Sequence, residues 1–533
     1  MPLLYMWPPC VPLRCMRAAV RDAGMRMAAC LLAFARRPTR LRLPNAMLAA
    51  NMKGARMDDK TLNGKIDEYL AQNWDQMVAD IDTLVQIPSV EDLGRANAQA
   101  GSPFGPEPAR ALDAALGIAD RMGLVTKNCD GYMGIADFPG ESDTQLGIIG
   151  HVDVVNAGPG WHFEPYQVTR KDGYLLGRGT SDDKGPIVTA LHAVNFWKRL
   201  VDAGDTAPLP YTVRVLFGAN EETSMGDVAY YRAHYADPAF LFTPDAEFPV
   251  CYGEMGICSG VLKSKPIADG NIIHMEGGAA VNAVPGQAYA VVRYDGRKLP
   301  RADRIALTNN HDGTWRIDAE GKSAHASTPD LGVNAIAVLV SYLLRNNLVS
   351  YPEKQYLLLD WALLRATDGS GLNIHAEDDA FGRLTAVGGI VFYDRETQPF
   401  FTQTVDCRYP TTTSSAEIAE KVNEMAQVIG AEFAIDHDKV PFLMDRDSPA
   451  VQALLEAYNE ATGEDAQAFT MAGGTYARMF SNAASFGPDK PWAKKPSWVG
   501  SMHGPDEGIL EDLLKQAFRI YVLTIGKLMR IAW

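Results

Sequence analysis

Five short stretches of this 533-residue chain carry side chains able to ligate a cation or move a proton. Gly147-Ile148-Ile149-Gly150 leads into His151-Val152-Asp153, and Gly177-Arg178-Gly179-Thr180-Ser181 leads into Asp182-Asp183-Lys184-Gly185. Phe217-Gly218-Ala219-Asn220 precedes Glu221-Glu222, and Phe242-Thr243-Pro244 precedes Asp245. Ser501-Met502-His503-Gly504-Pro505-Asp506-Glu507 lies near the C-terminus. Taken singly, each has an ordinary reading. A His-x-Asp pair is weak support for a metal site, adjacent acids beside glycines can cap a helix and complement its dipole, and paired glutamates usually mark a solvated turn. The glycine-rich run is not a phosphate loop, because the Gly-x-x-x-x-Gly-Lys-Ser/Thr spacing is absent. Taken together they supply His, Asp, Glu, Asp and His, an oxygen-and-imidazole set without thiolate that suits zinc, cobalt or manganese. Two cations ~3.5–4 Å apart need one bridging carboxylate and about two further ligands each, which five ligands provide.

Such groups must be positioned by strand ends, because loops at the carboxyl edge of an α/β sheet open into a crevice. The pattern from Met57 predicts a helix over Ile66–Leu84, a turn at Ile87-Pro88-Ser89 and a second helix over Glu107–Met122. A strand over Gln145–Gly150 ends in His151, and strand alternation puts His151 and Asp153 on one face. Ile187, Ala190, Leu191, Val194 and Trp197 make one buried face of a helix over Ile187–Leu200. Tyr211–Ala219 and Ala239–Thr243 read as strands. This order predicts a sheet flanked by helices. From about Glu254 to Asp438 the pattern changes. Strand-like segments at Ile257–Lys263, Gln287–Tyr294, Thr314–Ala319, Gly389–Tyr393 and Phe400–Tyr409 surround two helical ones, Val333–Leu344 and Ala416–Ile429, an α+β insert. Lys439–Trp533 should complete the first sheet. The expected organisation is an extension over 1–56, a first domain in two parts (57–253 and 439–533) and an inserted domain over 254–438.

Composition narrows the function classes. Hydrophobic residues at 47% and charged residues at 22% describe a globular chain with ample core. A net charge of -15 argues against a general nucleic-acid binder, and the apolar runs are shorter than the ~18 residues of a membrane helix. The charge is uneven. Residues 1–56 hold ten Lys/Arg against Asp22 alone, leaving 40 basic and 64 acidic residues from Met57 onward. The short apolar run Met27–Ala35 suggests a signal peptide, but Arg36-Arg37 follow it where small residues would be expected. A basic nucleic-acid arm would carry interleaved lysines and aromatics. The preferred reading is a segment outside the folded protein, disordered or a mis-assigned start. Seven scattered cysteines form no Cys-x-x-Cys pair, so the expected compartment is the reducing cytoplasm.

The ordered motifs Gly150-His151-Val152-Asp153-Val154-Val155, Gly177-Arg178-Gly179…Asp182-Asp183-Lys184-Gly185, Glu221-Glu222 and Pro244-Asp245 resemble those of the M-twenty peptidase family. That family includes carnosinases, aminoacylases, carboxypeptidase G and succinyl-diaminopimelate desuccinylase. Gly321-Lys322-Ser323-Ala324-His325-Ala326-Ser327, Arg408-Tyr409-Pro410 and Gly473-Gly474-Thr475-Tyr476-Ala477-Arg478 add a likeness to the bacterial PepV-type dipeptidases. The resemblance spans Met57 to Trp533. It implies a zinc-peptidase-like α/β catalytic domain with a mixed sheet flanked by helices, interrupted by an α+β lid domain.

By the same resemblance Asp182 would bridge two divalent metal ions (Zn2+ by default, Mn2+ or Co2+ in the same geometry). His151 and Asp245 would complete one site, and Glu222 and His503 the other. Glu221 would be the general base acting on a metal-bridging water, and Asp153 would orient His151. His325 would stabilise the oxyanion. Asn282 would contact the substrate, Arg408 its carboxylate, and Gly474 and Thr475 would line the pocket. The residues alone also allow a capped loop histidine at His325, a surface ion pair at Arg408 and a tight turn at Gly473. The implied activity is hydrolysis of free dipeptides by a monomer with no nucleic-acid or membrane partner. The alternatives are an N-acyl amino-acid deacylase with the same metal chemistry and, remotely, a non-catalytic binding protein.

Overall fold

A computed structural model describes residues 57–533 apart from Ala268, Arg297 and Pro491; the 1–56 extension lies outside the described residues. Two large sheets organise the chain. The first has nine strands, and its centre is parallel: Ser142–His151 lies between Tyr211–Gly218 and Phe240–Thr243, with Ala483–Ser485 beyond. Val125–Cys129 and Met133–Phe138 extend it antiparallel on one side and Cys251–Glu254 and Phe442–Leu443 on the other, where Phe469–Met471 also pairs parallel with Cys251–Glu254. The sheet is therefore mixed, as expected. Its parallel register sets His151 opposite Gly218. Three consecutive parallel strands thus deliver His151, the Glu221-Glu222 turn and Asp245 to one carboxyl edge.

Helices cover both faces. Asp59–Val85, Pro106–Arg121, Lys184–Asp202, Pro449–Thr462 and Glu511–Leu528 pack their apolar stripes on one side. A smaller cluster around Met225, Tyr231 and Tyr476 fills the other. The Lys184–Asp202 helix is buried along its first thirteen residues, Lys184 through Phe196, so it runs through the core rather than over it.

The second sheet has eight strands, all antiparallel, drawn from Gly256–Lys263 through Glu432–Lys439. Its own core contains three α-helices, Ala335–Arg345, Tyr351–Leu364 and Ser415–Val428, where two were expected. The extra one, Tyr351–Leu364, hides in the sequence because Leu357-Leu358-Leu359 and Trp361–Leu364 make a nearly continuous apolar run with no 3.6-residue stripe. Its signal is at the start: the Ser350 N–H donates to Glu353 Oε2 at 2.6 Å in a Ser-x-x-Glu capping pattern, with Pro352 in the first turn. Among the described residues no helix is long and apolar enough to cross a membrane.

Candidate active site

The five predicted ligands meet at the carboxyl edge of the first sheet. Each oxygen of Asp182 faces a different histidine. His151 Nε2 lies 3.0 Å from Asp182 Oδ1 and 3.7 Å from Asp245 Oδ2. His503 Nε2 lies 2.9 Å from Asp182 Oδ2 and 3.0 Å from Glu222 Oε2. The ligand atoms of His151, Asp182 and Asp245 lie within 4.8 Å of one another, as do those of Asp182, Glu222 and His503. Asp182 belongs to both groups, which is the geometry a carboxylate bridging two cations requires.

The charges around this point call for a cation. His151 is fully buried and Asp182 nearly so. Burial and the neighbouring Asp182 charge push Asp245 up to about 8. Glu221 is driven well above the ordinary carboxylate range by burial and by Asp245, Glu222 and Asp182, with His151 opposing. Burial also works against Asp182, but hydrogen bonds from His151 and His503 hold it below the usual value. Those same bonds to Asp182 and Glu222 lift His503 to about 11. Glu222 Oε1 is buried without a hydrogen-bond partner. Crowded carboxylates with two imidazoles and an orphaned oxygen are a donor set that divalent cations satisfy.

Asp153 sits as expected beside His151, with its carbonyl 3.0 Å and its Oδ1 3.4 Å from Nδ1. It has a second task. Its two oxygens accept the backbone N–H of Glu221 and of Glu222, each at 3.1 Å, so one carboxylate sets both the first histidine and the glutamate turn. The backbone approaches closely here. A Cβ at Gly150 would collide with Asp183 Oδ2, which accepts the His151 N–H at 3.0 Å.

The residues expected from the insert form a second group. His325 is exposed, with Nδ1 2.7 Å from Ser327 Oγ. The short strand Ala324–His325 pairs with Ala283–Val284, and the carbonyl of exposed Asn282 accepts the Ala326 N–H at 2.9 Å. Arg408 is buried. Its Nε donates to Asp406 Oδ1 at 2.9 Å and its Nη1 to the Ala472 carbonyl at 3.3 Å. Partial desolvation of its ring and the Arg408 charge hold His325 below the ordinary imidazole value. Gly474 is exposed. Thr475 is buried, and its hydroxyl is spent on Glu254 Oε1 (2.7 Å) and Ser485 (2.9 Å), so it braces the turn from within.

Residues 147–527 match Peptidase family M20/M25/M40. The chain belongs to that family. A protein of Staphylococcus saprophyticus named "Putative dipeptidase" is 29% identical over 487 residues, covering 87% of this chain and 98% of its own. A Staphylococcus aureus protein of the same designation is 29% identical over 484 residues, covering 86% and 98%. In fold the chain is similar to human carnosine dipeptidase 1 (TM-score 0.54, 13% identity, 88% of this chain and 99% of that one). It is also similar to the dipeptidase Dug1p of Saccharomyces cerevisiae (TM-score 0.53, 12% identity, 88% and 99%).

Within this peptidase the structure adds residues that sequence reasoning left without a role. Glu507 Oε1 accepts the N–H of Gly179 (3.0 Å), Ser181 (3.0 Å) and Asp182 (3.2 Å), while its Oε2 pairs with Arg178. Arg178 Nη2 donates to the His503 carbonyl at 3.0 Å. A fully buried ion pair therefore locks the loop of the shared aspartate to the loop of the second histidine. His503 takes a left-handed φ of 63°, a conformation uncommon for a non-glycine residue that this bond helps to hold. On the opposite side, Asp227 Oδ2 accepts the N–H of Ala219 (2.7 Å) and Asn220 (2.9 Å) and pairs with Tyr476, fixing the approach to Glu221. Lys184, buried under the site, donates to the carbonyls of Leu84 and Ile87 at 2.9 and 2.8 Å.

Proposed function

We propose that the chain is a dinuclear metallopeptidase that hydrolyses free dipeptides. The observation that carries this reading is the double engagement of Asp182, one oxygen toward the His151–Asp245 group and the other toward Glu222–His503. These two sets would hold two divalent cations, zinc by default, with 57–253 and 439–533 as the catalytic domain and 254–438 as the lid. When bound, the cations lower the pKa of water toward 7 and polarise the scissile carbonyl.

The chain's own residues do the rest. Glu221, whose carboxyl is pushed well up by burial and neighbouring acids, takes a proton from the attacking water and later delivers it to the leaving amine. Asp153 keeps that glutamate turn and His151 in register through three contacts. His325 donates to the developing oxyanion: its Nδ1 accepts the Ser327 N–H at 3.2 Å and lies 2.7 Å from the Ser327 hydroxyl, which leaves Nε2 to donate. Arg408, with its fork already oriented by Asp406, receives the substrate carboxylate. The dipeptidase names of the relatives, together with an arginine suited to a carboxylate, favour a short peptide with a free C-terminus.

The test is hydrolysis of a panel by the metal-loaded full chain: free dipeptides, their N-acetylated forms and a tripeptide. Cleavage of free dipeptides alone is expected. Cleavage of N-acyl amino acids alone would reassign the activity to a deacylase with the same metal site.

A further inference from the structure

A cavity of about 430 Å³ opens beside the substrate groups of the lid and has no part in the reaction described above. Met255, Met471, Ala472, Leu331 and Phe381 give it its apolar lining, with Ser327, Thr328, Asp330 and Arg383 among its polar residues and the hydroxyls of Thr470 and Thr385 turned to the Ala380 and Ala326 carbonyls. Two of its walls are one contact from the proposed substrate anchors. Ser327 holds His325 Nδ1 at 2.7 Å, and the Ala472 carbonyl accepts from Arg408 Nη1 at 3.3 Å. A dipeptide whose carboxylate lies on Arg408 and whose scissile carbonyl faces His325 therefore has its C-terminal α-carbon between these two walls.

We infer that this cavity receives the side chain of the substrate's C-terminal residue and selects for large apolar side chains; the inference rests on the dipeptidase reading. The lining decides the chemistry. Met255 and Met471 both line it and are joined through the Met255 N–H, which donates to the Met471 carbonyl at 2.9 Å; flexible thioethers adapt to branched, linear or aromatic shapes. The Phe381 ring and Leu331 continue the apolar wall, and Leu331 is 66% exposed with nothing covering it. The charges at the rim are spent. Asp330 pairs with Arg383 through Oδ2 and accepts from Thr367 Oγ1 at 2.5 Å through Oδ1. An acidic or basic substrate side chain would lose water without gaining a free partner, whereas leucine, methionine or phenylalanine would cover the exposed apolar lining.

The experiment compares kcat/KM for Ala-Gly, Ala-Leu, Ala-Met and Ala-Asp with the metal-loaded full chain and two variants. For the wild type, Ala-Leu and Ala-Met should exceed Ala-Gly by at least about 10-fold, the scale on which an apolar pocket discriminates, with Ala-Asp no better than Ala-Gly. Leu331→Arg, at an exposed position, places an unpaired cation in the wall. It should collapse the Leu-to-Gly ratio and raise Ala-Asp relative to Ala-Leu. Met471→Trp fills part of the cavity and should lower the ratio for every bulky residue. An unchanged Leu-to-Gly ratio in both variants, with metal content intact, would overturn the pocket assignment. Turnover of N-acetyl amino acids but of no free dipeptide by the wild type would overturn the underlying reading instead.

Discussion

The two sheets carry their functional groups in opposite ways. At the edge of the first, His151, Asp153 and Asp182 are buried, and the part-buried Glu221, Glu222 and Asp245 and the exposed His503 stand on backbone that is held by several partners: Glu507 accepts three backbone N–H groups, Asp227 two, and Asp153 anchors both glutamates. In the second, His325 and Asn282 are exposed, and the His325 ring rests on the Ser327 hydroxyl and N–H alone. The difference follows from what each must do. A cluster of carboxylates repels itself and keeps its geometry only inside a frame of oriented N–H donors. Groups that meet a substrate must let it in and close afterwards, so His325 and Asn282 sit where the backbone is lightly held, while Arg408 is fixed in a strand paired on both sides. Changes in the first region should therefore strike metal binding and the chemical step, and changes in the second should strike substrate recognition.

The sharpest break is Glu221→Gln. Its backbone N–H still reaches Asp153, so the frame survives while the base is lost. A fall of about 10²–10⁴ in kcat is expected, the usual worth of a general base, with metal stoichiometry unchanged by elemental analysis. Full activity in a variant that retains its metal would remove Glu221 from the mechanism.

Next in size is the lock between the two ligand loops. Glu507→Gln or Arg178→Ala leaves a buried charge without its partner, which costs about 3–5 kcal/mol of stability. Metal affinity should drop about 10–100-fold, as for other groups that orient ligands from behind. The loss should be greater for the Glu222–His503 site, because Arg178 holds the His503 carbonyl directly. Two-step metal titration checks this; equal weakening of both sites would mean that the pair acts only on the Asp182 loop.

In the second region, Arg408→Lys keeps the charge but loses the fork that matches a carboxylate. A rise in KM of about 10-fold for free dipeptides, with kcat and metal content little changed, is the expected outcome. A fall in kcat alone would instead give Arg408 a part in the transition state.

How much of this was readable from residues also differs between the regions. Glycine-rich or β-branched runs ending in acids marked the strand ends of the first sheet, because a parallel strand buried on both faces must be apolar and its chemistry must begin where it stops. All five ligands and Glu221 come together there. What stayed hidden was long-range. Nothing local pairs Arg178 with Glu507, 329 positions away, and nothing in Thr475 reveals that its hydroxyl turns inward to Glu254. Cys251–Glu254 and Ala483–Ser485 are too short to show an alternation. In the second sheet five of the eight strands were legible, but Ile272–Gly277, Ile305–Asn309 and Glu432–Lys439 were not, and neither was the Tyr351–Leu364 helix, since burial on most sides erased its stripe.

That same helix carries a flaw that separates the two regions most gently. Asp360 is buried, and neither of its carboxylate oxygens has a hydrogen-bond partner; burial alone pushes it up to about 8. A carboxyl whose folded pKa lies above its unfolded value of 3.8 holds its proton in the folded chain and releases it in the unfolded one. The contribution of Asp360 to stability is therefore greatest at low pH and is lost as pH rises from about 4 toward 8. Asp360→Leu removes both the unpaired group and the slope. It should stabilise the protein by about 1–3 kcal/mol at pH 8, and by less at pH 5, while metal content and kcat stay as they were. Thermal unfolding of both proteins across that pH range is the check. A destabilised variant, or a gain that does not grow with pH, would mean that Asp360 has a partner in solution and that the second sheet frames its charges as tightly as the first.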